Sequence, residues 1–192
     1  MSRDRRGGGS DMTGELEGCT VAVLATDGVE QVELERPRRA LEEAGARVEL
    51  VSVVPGPVQA MNGDIAPADT FTVDRRVTAA DPADYDGLVV PGGTINPDRL
   101  RTVPEAVEFV RAFAASGRPI GAICHGPWIL AEAGVVRGRV VTSYPSIRTD
   151  LRNAGAEVVD KEVVTDRAVT TSREPGDLDA FCERVVQEIA RY

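Results

Sequence analysis

Histidine and cysteine are scarce in this chain, and their scarcity limits the metal chemistry open to it. The 192 residues include one histidine and three widely spaced cysteines. A zinc site of the usual kind takes three or four such side chains, so we expect none. Carboxylate sites for hard cations need a defined spacing of Asp and Glu, and no segment has the spacing of a known cage. We therefore expect neither a metal nor a cofactor.

Long apolar runs and a disulfide pattern are also missing. No segment approaches the run of ~20 apolar residues that spans a bilayer. An odd number of scattered cysteines does not form a disulfide framework, which favours a reducing cytoplasm. Residues 1–18 are rich in glycine and charge but lack the apolar core of a secretory signal. We expect a flexible leader there, followed by one domain over residues 19–192.

Positive charge is in deficit. Lys and Arg total 22 against 31 Asp and Glu, for a net charge of -9 and a pI near 4.7. This balance argues against binding to nucleic acid or to an anionic membrane surface. The chain is 42% hydrophobic, which is enough to bury one core at this length.

Short apolar runs alternate with amphipathic helical patterns along the whole chain. Predicted strands cover 20–25, 47–54, 86–93 and 118–124, and a late pair turns at Asp166–Arg167. Predicted helices follow the first strand (despite Pro37), and cover 104–117, 125–134 and the C-terminal segment. This order predicts an α/β fold, a single-domain three-layer sandwich with a mostly parallel central sheet. Residues 55–77 are predicted to be an insertion of short strands or a hairpin.

The stretch "GAICHGPWIL" places Cys124 where a buried strand meets a helix, directly before the lone His125. Small residues two before and two after it, Ala122 and Gly126, suit the tight turn of a nucleophile elbow. The positive end of the following helix is expected to lower the pKa of the thiol. The N–H groups of His125 and Gly93 are candidate donors to an oxyanion.

Each of these residues also has a structural interpretation. Cys124 can be a small buried residue at a helix start, just as Cys182 is expected to be a buried residue on the core stripe of the last helix, and His125 can be a surface or capping histidine. The elbow spacing and the adjacent lone histidine favour function for both. Gly92 and Trp128 are candidate pocket residues, although core packing is the favoured explanation for the tryptophan.

Four segments, in this order, resemble the PfpI-type intracellular proteases of the DJ-1/PfpI superfamily. They are "DGVEQVELERPRRALEEAGARVELVS", "VVPGG", "AICHGP" and "RGRVVTSYPSIRTDLRNAGAEVVDKEVVTDRAVTTSREPGDL". The resemblance implies a flavodoxin-like sandwich, assembled as dimers or larger homo-oligomers. It implies that Cys124 is the nucleophile, His125 its partner, and Glu30 the glutamate that hydrogen-bonds the cysteine sulfur. The structural alternative for Glu30 is an exposed acid in the first turn of a helix.

The resemblance also implies that Asp98 orients His125 from a neighbouring subunit, so that activity depends on assembly. A helix N-cap is the alternative role for Asp98. Glutamine amidotransferases of similar fold use a distant His-x-Glu pair, which a chain with one histidine cannot supply.

Several functions remain open from the sequence. The first is a cysteine-nucleophile hydrolase, a protease or protein deglycase, that acts on peptides or on small carbonyl or acyl compounds. The second is a cofactor-free glyoxalase that converts methylglyoxal to lactate, and it shares the attack of sulfur on a carbonyl carbon. A redox-sensing stress protein or chaperone would need only the oxidation of Cys124. An inactive scaffold is the last alternative.

Overall fold

A seven-stranded sheet forms the centre of the protein in the computed structural model, which describes residues 14–192. In chain order, the strands are β1 (Thr20–Leu24), β2 (Val29–Glu30), β3 (Arg47–Ser52), β4 (Val58–Asn62), β5 (Ala66–Phe71), β6 (Arg75–Arg76), β7 (Gly87–Val90), β8 (Ile120–Ile123), β9 (Val140–Val141), β10 (Glu157–Val158), β11 (Val163–Asp166) and β12 (Val169–Ser172). The central sheet has the order β11-β12-β8-β7-β1-β3-β6. Its neighbours are parallel, except that β11 runs antiparallel to β12.

Helices cover both faces of this sheet. They are α1 (Gln31–Glu43), α2 (Ile95–Leu100), α3 (Pro104–Ala115), α4 (Pro127–Glu132), α5 (Arg148–Asn153) and α6 (Leu178–Arg191). Helices α1 and α6 share one core with Val21 and Val23 of β1, whereas α2 to α5 share the other core with Ala22 and Leu24. Successive side chains of a strand point to opposite faces, so a strand buried on both sides has a continuous apolar sequence. The predicted three-layer α/β sandwich is confirmed.

The connections agree with the sequence patterns in most places. The predicted insertion is an antiparallel hairpin of β4 and β5, whose tip has positive φ at Gly63 and Asp64. The late strand pair turns at Arg167 and Ala168, both with positive φ, one residue later than expected. The sequence analysis did not anticipate the β9–β10 pair or α5, because these are too short to show a period.

The N-terminal boundary differs from the expectation. Residues 1–13 of the predicted leader lie outside the described residues. Within the remaining five, Leu16 is fully buried and its N–H donates to the carbonyl of Ala44 at 2.8 Å. The packed part of the chain therefore begins before Cys19. Over residues 14–192, no helix is both long enough and apolar enough to cross a bilayer.

Helix α6 packs directly on the sheet because two strands carry glycine beneath it. A Cβ on Gly121 would lie 2.6 Å from Cγ2 of Val185 and 3.1 Å from Cζ of Phe181. A Cβ on Gly87 would meet Ile189 in the same way. These positions bring α6 close to β8, the strand that ends at the candidate nucleophile.

We expect Gly121→Ala to destabilise the protein by about 1–3 kcal/mol, because the added methyl overpacks this contact. Urea unfolding measures the change. Gly56→Ala is the matched control, since no atom lies within 4 Å of the added Cβ there. Equal stability of the two variants would contradict close packing of α6.

Candidate active site

Cys124 occupies a sharp turn between β8 and α4. Its φ is 62°, in the left-handed region that a side chain other than glycine rarely adopts. Its N–H donates to Ser172 at 3.1 Å, and its carbonyl accepts from the N–H of Tyr144 at 2.9 Å. A Cβ on Gly126 would lie 2.5 Å from the carbonyl oxygen of Val90, so the turn requires glycine there. The predicted sharp strand-to-helix turn at Cys124 is confirmed, and the role of Cys124 as a nucleophile stays a prediction.

Polar groups surround the sulfur. Sγ of Cys124 lies 3.2 Å from Nδ1 of His125. The backbone N–H groups of Gly93 and His125 lie close enough to the sulfur to lower the pKa of the thiol, and the Glu33 carboxyl lies beside it. Gly93 and His125 are thus at the reacting atom, while their use as oxyanion donors stays a prediction. The elbow lets a cysteine and the histidine next to it in sequence come into contact.

The glutamate on the sulfur is Glu33, and the prediction that assigned this contact to Glu30 is wrong. Glu30 precedes α1, and its carboxylate accepts the N–H groups of Gly63 and Asp64 at 3.0 and 3.4 Å. Glu33 lies one turn further along, where α1 faces the ends of β7 and β8. Both acids line the cavity, but Glu33 is the one that lies against Cys124: Oε2 of Glu33 and Cβ of Cys124 crowd the same face of Gly92.

Burial controls the protonation of Glu33. The residue is 0% exposed; Oε2 accepts the N–H of Gly92 at 2.7 Å, and Oε1 has no nitrogen or oxygen partner among the described residues. Burial raises the pKa of Glu33 to about 8, against the hydrogen bonds from Cys124 and Gly92, which lower it. The carboxyl is therefore mainly protonated at neutral pH and has a proton to donate.

The expected lowering of the Cys124 pKa is wrong in direction. Burial raises the pKa of this thiol, and a charge on Glu33 raises it further, while the Gly93 and His125 amides lower it. A protonated Glu33 removes the second cause. The resting residue is accordingly a thiol, which needs a base to become a nucleophile.

His125 is held in place within its own chain. It is 5% exposed, its ring stacks on Tyr144 at 4.6 Å between centroids, and Nε2 lies 2.9 Å from Oγ of Ser146. Burial lowers the pKa of His125, so the ring is a neutral base at neutral pH. Both ring nitrogens thus have partners, Cys124 on one side and Ser146 on the other.

Asp98 is not part of this arrangement within the chain. It is exposed in the first turn of α2, and the N-cap position of this helix belongs to Thr94, whose side chain makes no capping hydrogen bond, so the N-cap alternative for Asp98 is wrong. Because Ser146 already contacts Nε2, His125 does not depend on Asp98 for an orienting partner. The role of Asp98 across a subunit interface stays a prediction.

Neither of the two predicted pocket residues, Gly92 and Trp128, is among the residues that line the cavity. A Cβ on Gly92 would fall 2.5 Å from Oε2 of Glu33 and 2.7 Å from Cβ of Cys124, so this glycine permits their close approach. The Trp128 indole donates to Asp150 at 2.8 Å and packs against the core beneath α4. Core packing is therefore the main role of Trp128, which is not among the residues lining the cavity.

A cavity of about 230 Å³ opens onto the sulfur. It lies at the carboxyl ends of the central strands, and its lining residues are Glu30, Glu33, Gly63, Asp64, Gly93, Cys124, His125, Tyr144 and Pro175. The sequence analysis missed Glu33, Asp64, Tyr144 and Ser146. An acid within the apolar stripe of α1 was the available signal for Glu33; the other three come from distant loops and gave none.

Over residues 14–192, no group of three or more His, Cys, Asp or Glu side chains is arranged to hold a metal ion. The chemistry available to the described site is that of a thiol, a neutral imidazole and a buried carboxylic acid.

Comparisons with known proteins identify the family of this chain. The profile of the DJ-1/PfpI family matches residues 19–188. The chain is 40% identical over 162 residues to "Putative cysteine protease YraA" of Bacillus subtilis, covering 84% of this chain and 92% of that protein. It is 41% identical over 167 residues to "Deglycase PYRAB04690" of Pyrococcus abyssi, covering 87% and 97%.

A solved structure from Anabaena variabilis, a two-domain protein with DJ-1/ThiJ/PfpI-like and ferritin-like domains, superposes with a TM-score of 0.82 at 32% identity. The match covers 88% of this chain and 47% of that one, so the chain spans about half of the two-domain protein.

The raised pKa of Glu33 predicts a particular pH dependence of stability. The ordinary value is 4.5, and the folded value is about 8. Between them the folded protein keeps a proton that the unfolded chain has released, so stability falls as pH rises, by up to about 1.4 kcal/mol per pH unit. Glu33→Gln removes this loss, so the variant should gain stability relative to the parent from about pH 5 to about pH 8. Urea unfolding at several pH values tests this, and a constant difference would contradict a protonated Glu33.

Proposed function

Because the chain belongs to the DJ-1/PfpI family, we propose that it is a cysteine-nucleophile hydrolase of the peptidase or deglycase type, acting on small carbonyl or acyl groups. The observation that carries the proposal is the contact of 3.2 Å between Sγ of Cys124 and Nδ1 of His125, on a strained elbow that faces a cavity. The names of the bacterial and archaeal relatives support the hydrolase class.

The first step needs a base, because Cys124 rests as a thiol. Neutral His125 takes the Sγ proton on Nδ1 as sulfur attacks the carbonyl carbon. The C–S bond forms, and the carbonyl π pair moves to oxygen. This oxygen either takes the proton of Glu33 or accepts hydrogen bonds from the N–H groups of Gly93 and His125. When the carbonyl re-forms, any proton that the oxygen took from Glu33 returns to that carboxylate, and the leaving group departs with the proton that His125 holds. Water then hydrolyses the thioester of an acyl substrate.

Cavity size bears on the substrate. A volume of about 230 Å³ holds a small acyl or carbonyl group more readily than a folded chain. Peptide hydrolysis, removal of carbonyl adducts and conversion of methylglyoxal to lactate share the first step described above. They differ in what leaves the carbon, so product analysis separates them.

The redox-sensor alternative is less well supported by the geometry. A sensor cysteine is an exposed thiolate with a lowered pKa, whereas Cys124 is 6% exposed and burial raises the pKa of its thiol. Such a thiol reacts where a base takes its proton, which favours catalysis with His125.

We further propose a homo-oligomer in the reducing cytoplasm, in which Asp98 of one subunit lies at the site of another. The exposure of Asp98 on α2 is compatible with such a contact. This contact adds to the orientation that Ser146 already gives His125.

Cys124→Ser and His125→Ala should each lower turnover of methylglyoxal, glycated amino acids or a small peptide panel by at least about 100-fold. The first variant removes the nucleophile and the second its base. Cys182→Ser, at a buried position away from the cavity, is the control and should keep activity. Unchanged turnover in His125→Ala would remove the histidine from the mechanism, and full activity in Cys124→Ser would exclude sulfur chemistry.

Ser146→Ala should lower kcat by about tenfold with little change in KM, because the variant leaves Nε2 of His125 without its partner. The pH profile of kcat should shift as well, since this bond selects the tautomer of the ring. Ser146→Thr keeps the hydroxyl and should restore both values. Equal loss in the Ala and Thr variants would show that Ser146 matters only for packing.

A further inference from the structure

The cavity above Cys124 is acidic. Three of its lining residues carry carboxyl groups, namely Glu30, Glu33 and Asp64, and the lining includes no Lys or Arg among the described residues. The Glu33 carboxyl is fully buried, and its Oε1 has no nitrogen or oxygen partner there.

The two other carboxylates are held by neutral donors. Glu30 accepts the N–H groups of Gly63 and Asp64. Asp64 accepts the N–H of Thr94 at 2.6 Å and its hydroxyl at 2.8 Å. Neither takes part in an ion pair formed within residues 14–192. Their negative charges are fixed at the cavity without a compensating cation from the described part of the chain.

The arginines near the cavity in sequence are already engaged. Arg173, two residues before Pro175, pairs with Asp160 and Asp177 at 2.9 and 2.8 Å. Arg99, on α2, pairs with Asp27 at 3.4 Å. Each guanidinium is balanced by at least one carboxylate, so neither supplies free positive charge to a molecule in the cavity.

These negative charges act on the groups that react. The charge of Asp64 raises the pKa of His125 against the larger effect of burial. Charges on Glu30 and Asp64 add to burial in raising the pKa of Glu33. A substrate bound beside Cys124 and His125 occupies the same field.

We infer that the cavity selects its substrates by charge: it accepts neutral and cationic carbonyl or acyl compounds, and it repels those with a carboxylate or phosphate near the reacting carbon. The inference deepens the proposed function, because it depends on Cys124 being the nucleophile of this cavity. Like charges in a partly enclosed site repel more strongly than in open water, since the protein excludes screening solvent.

Methanethiosulfonate reagents of similar size test this without any turnover. The cationic trimethylammonium-ethyl reagent and the anionic sulfonato-ethyl reagent are compared at Cys124 by peptide mass spectrometry. N-acetylcysteine amide serves as a neutral reference thiol. The cation/anion rate ratio at Cys124 should exceed the reference ratio by at least about tenfold, and salt should reduce the excess. A ratio equal to that of the reference would overturn the inference.

Isosteric variants locate the charges responsible. Asp64→Asn and Glu30→Gln should each lower the rate ratio by about threefold, and the double variant should bring it near the reference value. Glu157→Gln is the matched control, because it changes the net charge by the same amount at an exposed strand residue outside the cavity lining. Full discrimination in the double variant, or an equal decrease in the control, would refute the assignment to these residues. If a thermal melt shows that a variant is unfolded, the inference is still tested by the cation/anion rate ratio of the unaltered protein and its dependence on salt.

The outcome is separable from that of the proposed function. Strong charge discrimination in a protein that turns over none of the carbonyl or peptide substrates would refute the hydrolase and retain the charge selection. Turnover of these substrates without charge discrimination would refute the charge selection and retain the hydrolase.

Discussion

The left-handed backbone at Cys124 is the constraint on which the rest of the site depends. A φ of 62° at a residue with a side chain is unfavourable by itself, and it persists because both peptide groups of the turn are fixed, one to Ser172 and the other to Tyr144. Gly126 leaves room for the chain to reverse. This conformation directs the sulfur out of the sheet edge and brings the imidazole of the next residue to within 3.2 Å of it. A regular strand or helix would place these two neighbours apart.

Around the elbow, burial keeps each ionisable group in its neutral form. Glu33 is a carboxylic acid, His125 a neutral imidazole and Cys124 a thiol, and each is shifted toward that state mainly by loss of water. Ionising one of them without a partner is costly, whereas transfer of a proton between them separates charge only locally. In the resting site, Glu33 and Cys124 therefore each hold one proton that can be transferred, and Nδ1 of His125 can accept one. The outer carboxylates of Glu30 and Asp64 add a fixed negative field at the mouth.

Much of the fold and part of the site could be predicted from the sequence. Buried strands and amphipathic helices show their periods over several residues, so the layered sheet and the elbow at "AICHGP" were identified together with Cys124 and His125. The sequence pattern could not decide whether Glu30 or Glu33 contacts the sulfur. Both lie one turn apart at the start of α1, and only the angle at which that helix meets the ends of β7 and β8 decides which carboxyl reaches the sulfur. Ser146 and Asp64 come from a short loop and a hairpin tip, where no period exists to place them.

The sequence by itself singled out Cys124, the neighbouring His125 and the family architecture, because these follow from local patterns of small, apolar and reactive residues. The tertiary structure alone decided the partners of those two residues and the protonation of the site. Hydrogen bonds to Glu33 and Ser146 join segments far apart in the chain, and a pKa depends on how deeply the assembled layers exclude water. Neither quantity exists until the elbow, the first helix and the hairpin have come together.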